Sequence, residues 1–307
     1  MTVSHVRERL RAGRPLVVAA DSSSSLRARG VALDVPGALG LLLRERPADV
    51  LEHHRVEVGC RADVLVALTG DTMPRSLAEV GMEHRSAQLT SRAVELALEA
   101  AEASPKPVAV AGVLGSEIVS PVAAVRLQEE LEEHSARLAA AGCELLIARG
   151  QGSRLNFMAA VVAAARAELP VWAVIERGVD TAGDPGLFQA LHDAGASVAL
   201  FEVPSVALGV SELQRASAFA QQAELAVGVL LAASQAALPG FPDESASPEQ
   251  WASHALDLDV AGARVIGGGA GTTEEHLDAL ARALGALHPS LPARPPEAAP
   301  ESSPSRG

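Results

Sequence analysis

Two hydrophobic patterns alternate along the chain. Short aliphatic and β-branched runs are separated by longer Ala-, Leu-, Glu- and Arg-rich stretches in which apolar residues return at helical spacing. The short runs predict eight strands, at Leu16–Ala20, Asp63–Thr69, Val108–Leu114, Glu144–Ala148, Val171–Glu176, Ser197–Glu202, Leu225–Leu231 and Arg264–Gly267. Between them, Arg85 to Ala103 places Leu89, Ala93, Leu96 and Ala100 on one stripe, the signature of a helix packed on one face. Val125 to Ala141 and Leu187 to Ala194 are amphipathic in the same way. Asp184-Pro185 supplies a cap and a first-turn proline for the latter, and Gly142 and Gly195 stop their helices. Eight strand–helix units in succession predict an α/β fold, a single (βα)8 TIM barrel.

Composition sharpens the boundaries. With 307 residues and 48% hydrophobic content, the chain holds one barrel, assigned to residues 1–287. From His288 the sequence turns to Pro, Ala, Glu and Ser, which predicts a disordered tail over residues 288–307. A second irregular stretch, Pro239 to Pro248, follows the seventh strand and reads as a surface loop or a lid. The net charge of −13 and a sequence pI near 5.2, with two Trp, no Tyr and five Phe, argue against nucleic acid as a partner. Met1 to Pro15 lacks the apolar run of a secretory signal, and no stretch has the length of a membrane span, so a cytoplasmic protein is expected. Cys60 and Cys143 suit a reducing compartment, and Cys143 reads as a core residue.

Near the C-terminus stands Gly267-Gly268-Gly269-Ala270-Gly271-Thr272-Thr273, followed by Glu274-Glu275-His276. It resembles the last strand of the homocysteine S-methyltransferase family, Gly-Gly-Cys-Cys-Gly-Thr-Thr-Pro-Glu-His, with Gly269 and Ala270 where the family has cysteines. The resemblance runs from about Ala20 to Leu284. Asp21 stands where the family begins Asp-Gly-Ala-Met-Gly-Thr. Glu45 to Val50 and His53 are similar to its Arg-Pro-Glu-Leu-Val helix, and Ala62 to Thr69 to its Ala-Asp-Val-Ile-Thr-Thr-Asn-Thr. Ala111 to Ser116 resembles Ala-Gly-Ser-Ile-Gly-Pro, with the glycines kept and the polar detail lost.

What the resemblance implies is a barrel whose zinc ion, held by three thiolates, binds homocysteine as a thiolate and prepares it to attack a methyl group. The small donors it implies are S-methylmethionine or S-adenosylmethionine; nothing in the chain resembles a cobalamin or folate module. At the three ligand positions this sequence carries Glu202, Gly269 and Ala270. Arg149 stands where the family's acidic residue holds the substrate ammonium, a reversal of charge. No cofactor is therefore expected, and no metal is assigned.

Asp21, Arg149, Glu176 and Glu202 all fall at C-terminal strand ends, the face on which barrels build their sites. Glu202 and Asp21 are the catalytic candidates; Arg149, Glu176, Thr69, Gly268, Gly269, Ala270 and Thr272 are the substrate-binding ones. The same charges also read, and more readily, as a structural pair in which Arg149 neutralises Glu176 or Glu202. Thr272 or Thr273 reads as a cap for the helix from Glu274, or that helix start as an anion seat. Two functions follow. One is a barrel that no longer catalyses zinc-dependent homocysteine methylation and serves as a binding or partner protein, for a small-molecule ligand or a protein. The other is a zinc-independent enzyme, a methyltransferase or otherwise, working through a charged mouth around Glu202, Arg149 and Asp21.

Overall fold

The structure, a computed structural model, describes residues 2–115, 124–149, 153–176, 184–234 and 245–287. Its strands are β1 (Leu16–Val18), β2 (Val64–Val66), β3 (Ala109–Leu114), β4 (Leu145–Arg149), β5 (Val171–Ile175), β6 (Ala196–Val203), β7 (Ala226–Leu231) and β8 (Val265–Gly268). All are parallel, and β8 pairs back onto β1 to close the barrel. Each falls on a predicted run with its ends within a residue or two, except that β2 stops at Val66, three residues short of the predicted Thr69.

Ahead of β1 comes α1 (Thr2–Arg11). Between β1 and β2 lie α2 (Ser22–Ala28), α3 (Ala38–Glu45) and α4 (Pro47–Gly59). Then follow α5 (Pro74–Ala78), α6 (Ser86–Glu102), α7 (Ala124–Ala141), α8 (Arg154–Ala165), α9 (Pro185–Asp193), α10 (Val206–Gln222), α11 (Pro248–Val260) and α12 (Glu274–Leu287). The predicted stripe Leu89, Ala93, Leu96 and Ala100 is buried on α6. Asp184 caps α9 through the Gly186 N–H, and Gly142 and Gly195 take positive φ, 104° and 97°, after their helices.

Alternation along each strand sorts side chains into two cores. One set faces into the barrel: Leu16, Val18, Val64, Leu145, Ile147, Trp172, Val174, Val198, Leu200 and Val265 form a buried cluster closed from below by Val6 of α1. The other set packs outward against the helices, with Cys143 among it. The barrel floor is pinned by Asp63, which accepts from the Val17 N–H at 2.9 Å and pairs with Arg9 of α1 and Lys106.

Residues 288–307 and most of the Pro239–Pro248 stretch lie outside the described residues. The end of that stretch is not loop. Ser247 caps α11 in a reciprocal capping box with Gln250, and Pro248 is its first helical residue. Among the described residues, no helix is long and apolar enough to cross a membrane.

Candidate active site at the barrel mouth

Three adjacent strands repeat one pattern. Leu145 and Ile147, Trp172 and Val174, and Val198 and Leu200 face the interior; two residues further along stand Arg149, Glu176 and Glu202. Period two therefore aims all three charges up the same axis. They meet: Arg149 Nε donates to Glu176 Oε1 at 2.7 Å, and Arg149 Nη2 to Glu202 Oε2 at 2.6 Å. Partial burial opposes the charge on the guanidinium, but Glu202 and Glu176 outweigh it and raise its pKa, so Arg149 is a fixed cation. Glu176 is the more enclosed carboxylate, at 10% side-chain exposure against 29% for Glu202.

Opposite this trio is the seam between the first and last strands. Asp21 caps α2, accepting from the Ser23 N–H at 3.2 Å and the Ser24 hydroxyl at 2.5 Å. Its own N–H donates to Thr272 Oγ1, and Thr272 in turn donates to the Gly269 carbonyl. The Gly271 N–H donates to Ser24 Oγ. The backbones close so tightly here that a Cβ on Gly268 would lie 2.2 Å from Thr272 Oγ1 and 2.8 Å from Ala20 Cα. At Gly269 a Cβ would come 3.0 Å from the Ala232 nitrogen.

Between trio and seam is a cavity of about 220 Å³. Asp21, Arg149, Glu202, Gly268, Gly269 and Ala270 line it, joined on the apolar side by Leu68, Ile147, Leu200 and Leu230. Of the sequence candidates, Thr69, Glu176 and Thr272 do not. Thr69 is fully buried, accepting from the Val113 N–H at 2.8 Å and so tying the end of β2 to β3. Glu176 serves by holding Arg149. Thr272 is fully buried in the seam rather than capping α12, whose first turn is closed by His276 Nδ1 accepting from the Thr273 N–H.

The two cysteines are elsewhere. Cys60 ends α4, where burial, Asp278, Glu274 and Glu57 push its thiol up to about 11. Cys143 lies in the outward-facing core, where burial and Glu144 raise its thiol to about 12. Both are protonated thiols at neutral pH. Among the described residues, the charged groups at the mouth are thus carboxylates and a guanidinium.

A further polar group, which the sequence reading passed over, lies on α4. His53, His54 and Glu57 are each fully buried. Glu57 Oε2 is 3.2 Å from His54 Nδ1 and 3.5 Å from His53 Nε2, and His53 Nδ1 is 3.3 Å from Glu274 Oε1. The available signal was a helix without a clean apolar stripe, with histidines on its buried side.

Comparison with known proteins agrees with this architecture. The homocysteine methyltransferase MmuM from Escherichia coli superimposes in its metallated form with a TM-score of 0.70 at 20% identity, over 87% of this chain and 96% of that one. Its oxidized form gives 0.71 at 19% identity, over 88% and 96%. A 3-dehydroquinate dehydratase from Geobacillus kaustophilus gives 0.51 at 12% identity, over 90% and 91%. At such identities these matches speak to the fold. No curated protein sequence is a match. A family model described as homocysteine S-methyltransferase matches residues 20–284, every element from the β1 end to the last helix. The chain belongs to the homocysteine S-methyltransferase family.

Proposed function

We propose that this barrel has left zinc-dependent homocysteine methylation and binds a compact small molecule at its mouth. The observation that carries the reading is the donor set. Where the family resemblance implies three thiolates, the mouth offers Glu202, Gly269 and Ala270, and the single carboxylate among them is already engaged by Arg149. A thiolate-held zinc ion needs several soft anionic donors. These residues do not fit it, and the crowding at Gly269 leaves little room for a longer side chain. Arg149, in place of an acidic residue, also opposes the ammonium of an amino-acid substrate.

What remains is a cavity with a charged wall and an apolar wall, suited to orienting a small polar ligand. Acid–base catalysis by Glu202 and Asp21 is less well supported. Both oxygens of Asp21 are spent on capping α2, and Glu202 is held by a guanidinium. Calorimetric titration with homocysteine, with zinc in the buffer, tests the reading. No heat, together with no methyl transfer from S-methylmethionine above a Glu202→Ala control, is the expected result. Saturable homocysteine binding that the control abolishes overturns it.

A further inference from the structure

The α4 cluster is built differently from the mouth. On a helix, successive residues are turned by about 100°, so the residue four places after His53 falls angularly between His53 and His54. That residue is Glu57, and both imidazoles reach the same oxygen, Oε2. Burying a carboxylate and two imidazoles at zero exposure is costly unless each polar atom finds a partner. Here three do not: His54 Nδ1 pairs with Glu57 Oε2, but Glu57 Oε1, His53 Nε2 and His54 Nε2 are buried without a hydrogen bond.

His53 makes the imbalance acute. Its Nδ1 faces the Glu274 carboxylate, which Arg29 also holds, and so carries a proton. Its Nε2 stands 3.5 Å from Glu57 Oε2, buried and without a hydrogen bond. A second proton on Nε2 would find no well-directed acceptor, because the geometry of that approach is not that of a hydrogen bond. A cation coordinated by both atoms needs no N–H to be in line.

We propose that His53, His54 and Glu57 form a buried three-ligand site for a divalent transition-metal ion, zinc being the best match, in the helical layer outside the barrel. Two imidazoles and a carboxylate are a borderline donor set of the kind zinc favours. Ligand bonds of about 2.0–2.1 Å require donors about 3.3 Å apart in a tetrahedron, and the two His–Glu separations, 3.2 and 3.5 Å, already stand there. All three donor atoms lie within 4.8 Å of one another. The three side chains supply three donors, and because Glu57 Oε1 is too close to Oε2 to take a separate corner of the tetrahedron, a small exogenous ligand such as water would complete the four. The hydrogen bond from His53 Nδ1 to Glu274 supplies the carboxylate that commonly orients a metal-bound imidazole. Glu274 opens α12, so the ion would fasten α4 to the last helix. The site shares no residue with the lining of the mouth cavity and stands whatever the mouth binds.

The test uses the full chain, stripped with a chelator and dialysed against zinc or cobalt(II). One equivalent of zinc and a raised Tm are expected. The cobalt form should show the visible bands of a tetrahedral ion without thiolate-to-cobalt charge transfer in the near ultraviolet. Glu57→Gln, which keeps the side-chain shape, should lower zinc affinity roughly a thousandfold, whereas Glu202→Ala and Cys60→Ser should retain it. The cobalt spectrum of the unmodified chain decides the matter even if the Glu57 variant folds poorly. Absence of zinc uptake and of any Tm rise overturns the proposal in favour of a protonated cluster. Thiolate charge transfer, or zinc lost with Cys60→Ser, also overturns it by assigning the metal to Cys60.

Discussion

The mouth and the α4 cluster both gather charged side chains, but only one of them balances its own hydrogen bonds. At the mouth Arg149 sits between two carboxylates at bonding distance and Asp21 has both oxygens occupied. In the cluster, His54 Nδ1 pairs with Glu57 Oε2 and His53 Nδ1 with Glu274, but Glu57 Oε1, His53 Nε2 and His54 Nε2 are buried without a hydrogen bond. Position alone would assign the first region the chemistry, since barrels carry their sites at the C-terminal strand ends. Saturation of the polar groups points the other way for metals. A satisfied network holds the fold together, while an unsatisfied buried one invites an ion or a ligand.

Four experiments would break or sharpen that contrast. The mouth depends on close backbone approach, so Gly268→Ala should cost about 3 kcal/mol through overlap with Thr272 and Ala20, measured by urea unfolding. A cost below about 1 kcal/mol would mean that the seam is looser than described. Acid unfolding must be separated from both regions, because a third histidine contributes to it. Burial, with Arg137 adding, pushes His134 down to about 4 from 6.5. The unfolded chain therefore takes up a proton that the native state refuses. Stability should fall by up to about 3 kcal/mol as the pH drops from 6.5 towards 4, and His134→Gln should flatten that fall in urea titrations at several pH values.

A subtler probe of the cluster is the carboxylate behind it. Glu274→Gln should weaken zinc binding tenfold to a hundredfold, about 1–3 kcal/mol, without altering the mouth. Equal affinity in a competition titration against a chelator would detach Glu274 from the metal. Smallest is the mouth's own ion trio. Arg149→Met leaves Glu176 and Glu202 facing each other, and because the group is partly exposed the expected loss is about 1–2 kcal/mol in thermal unfolding, with no change in zinc content.

Most of the scaffold is legible in the sequence because it rests on repetition. Eight apolar runs alternating with helical stretches leave few alternatives to a barrel, and the α6 stripe identifies its buried face directly. The Arg149 trio is legible too, since each charge continues an interior row at period two, and pairing was one of the two readings given to it. Asp21 was harder. An aspartate before Ser22-Ser23-Ser24 carries the local signal of a helix cap, yet its place at a strand end drew attention to catalysis. Thr69 and Thr272 look like ligand contacts in one dimension and prove to be ties between neighbouring strands and loops, because burial depends on partners distant in sequence. The α4 cluster escaped for the same reason. Its significance lies in Glu274 and Arg29, 221 and 24 residues from His53.

The seam has a consequence for how the molecule is made. β1 is synthesised early, but its partner β8 begins only at Val265, and the Asp21–Thr272 and Ser24–Gly271 contacts wait for the same segment. Until then the nascent sheet has two unpaired edges, one at β1 and one at β7, each able to recruit a strand from another chain. A ribosome-stalled or truncated chain ending before Val265 should aggregate or engage chaperones, while the addition of some ten residues lets the sheet close on itself.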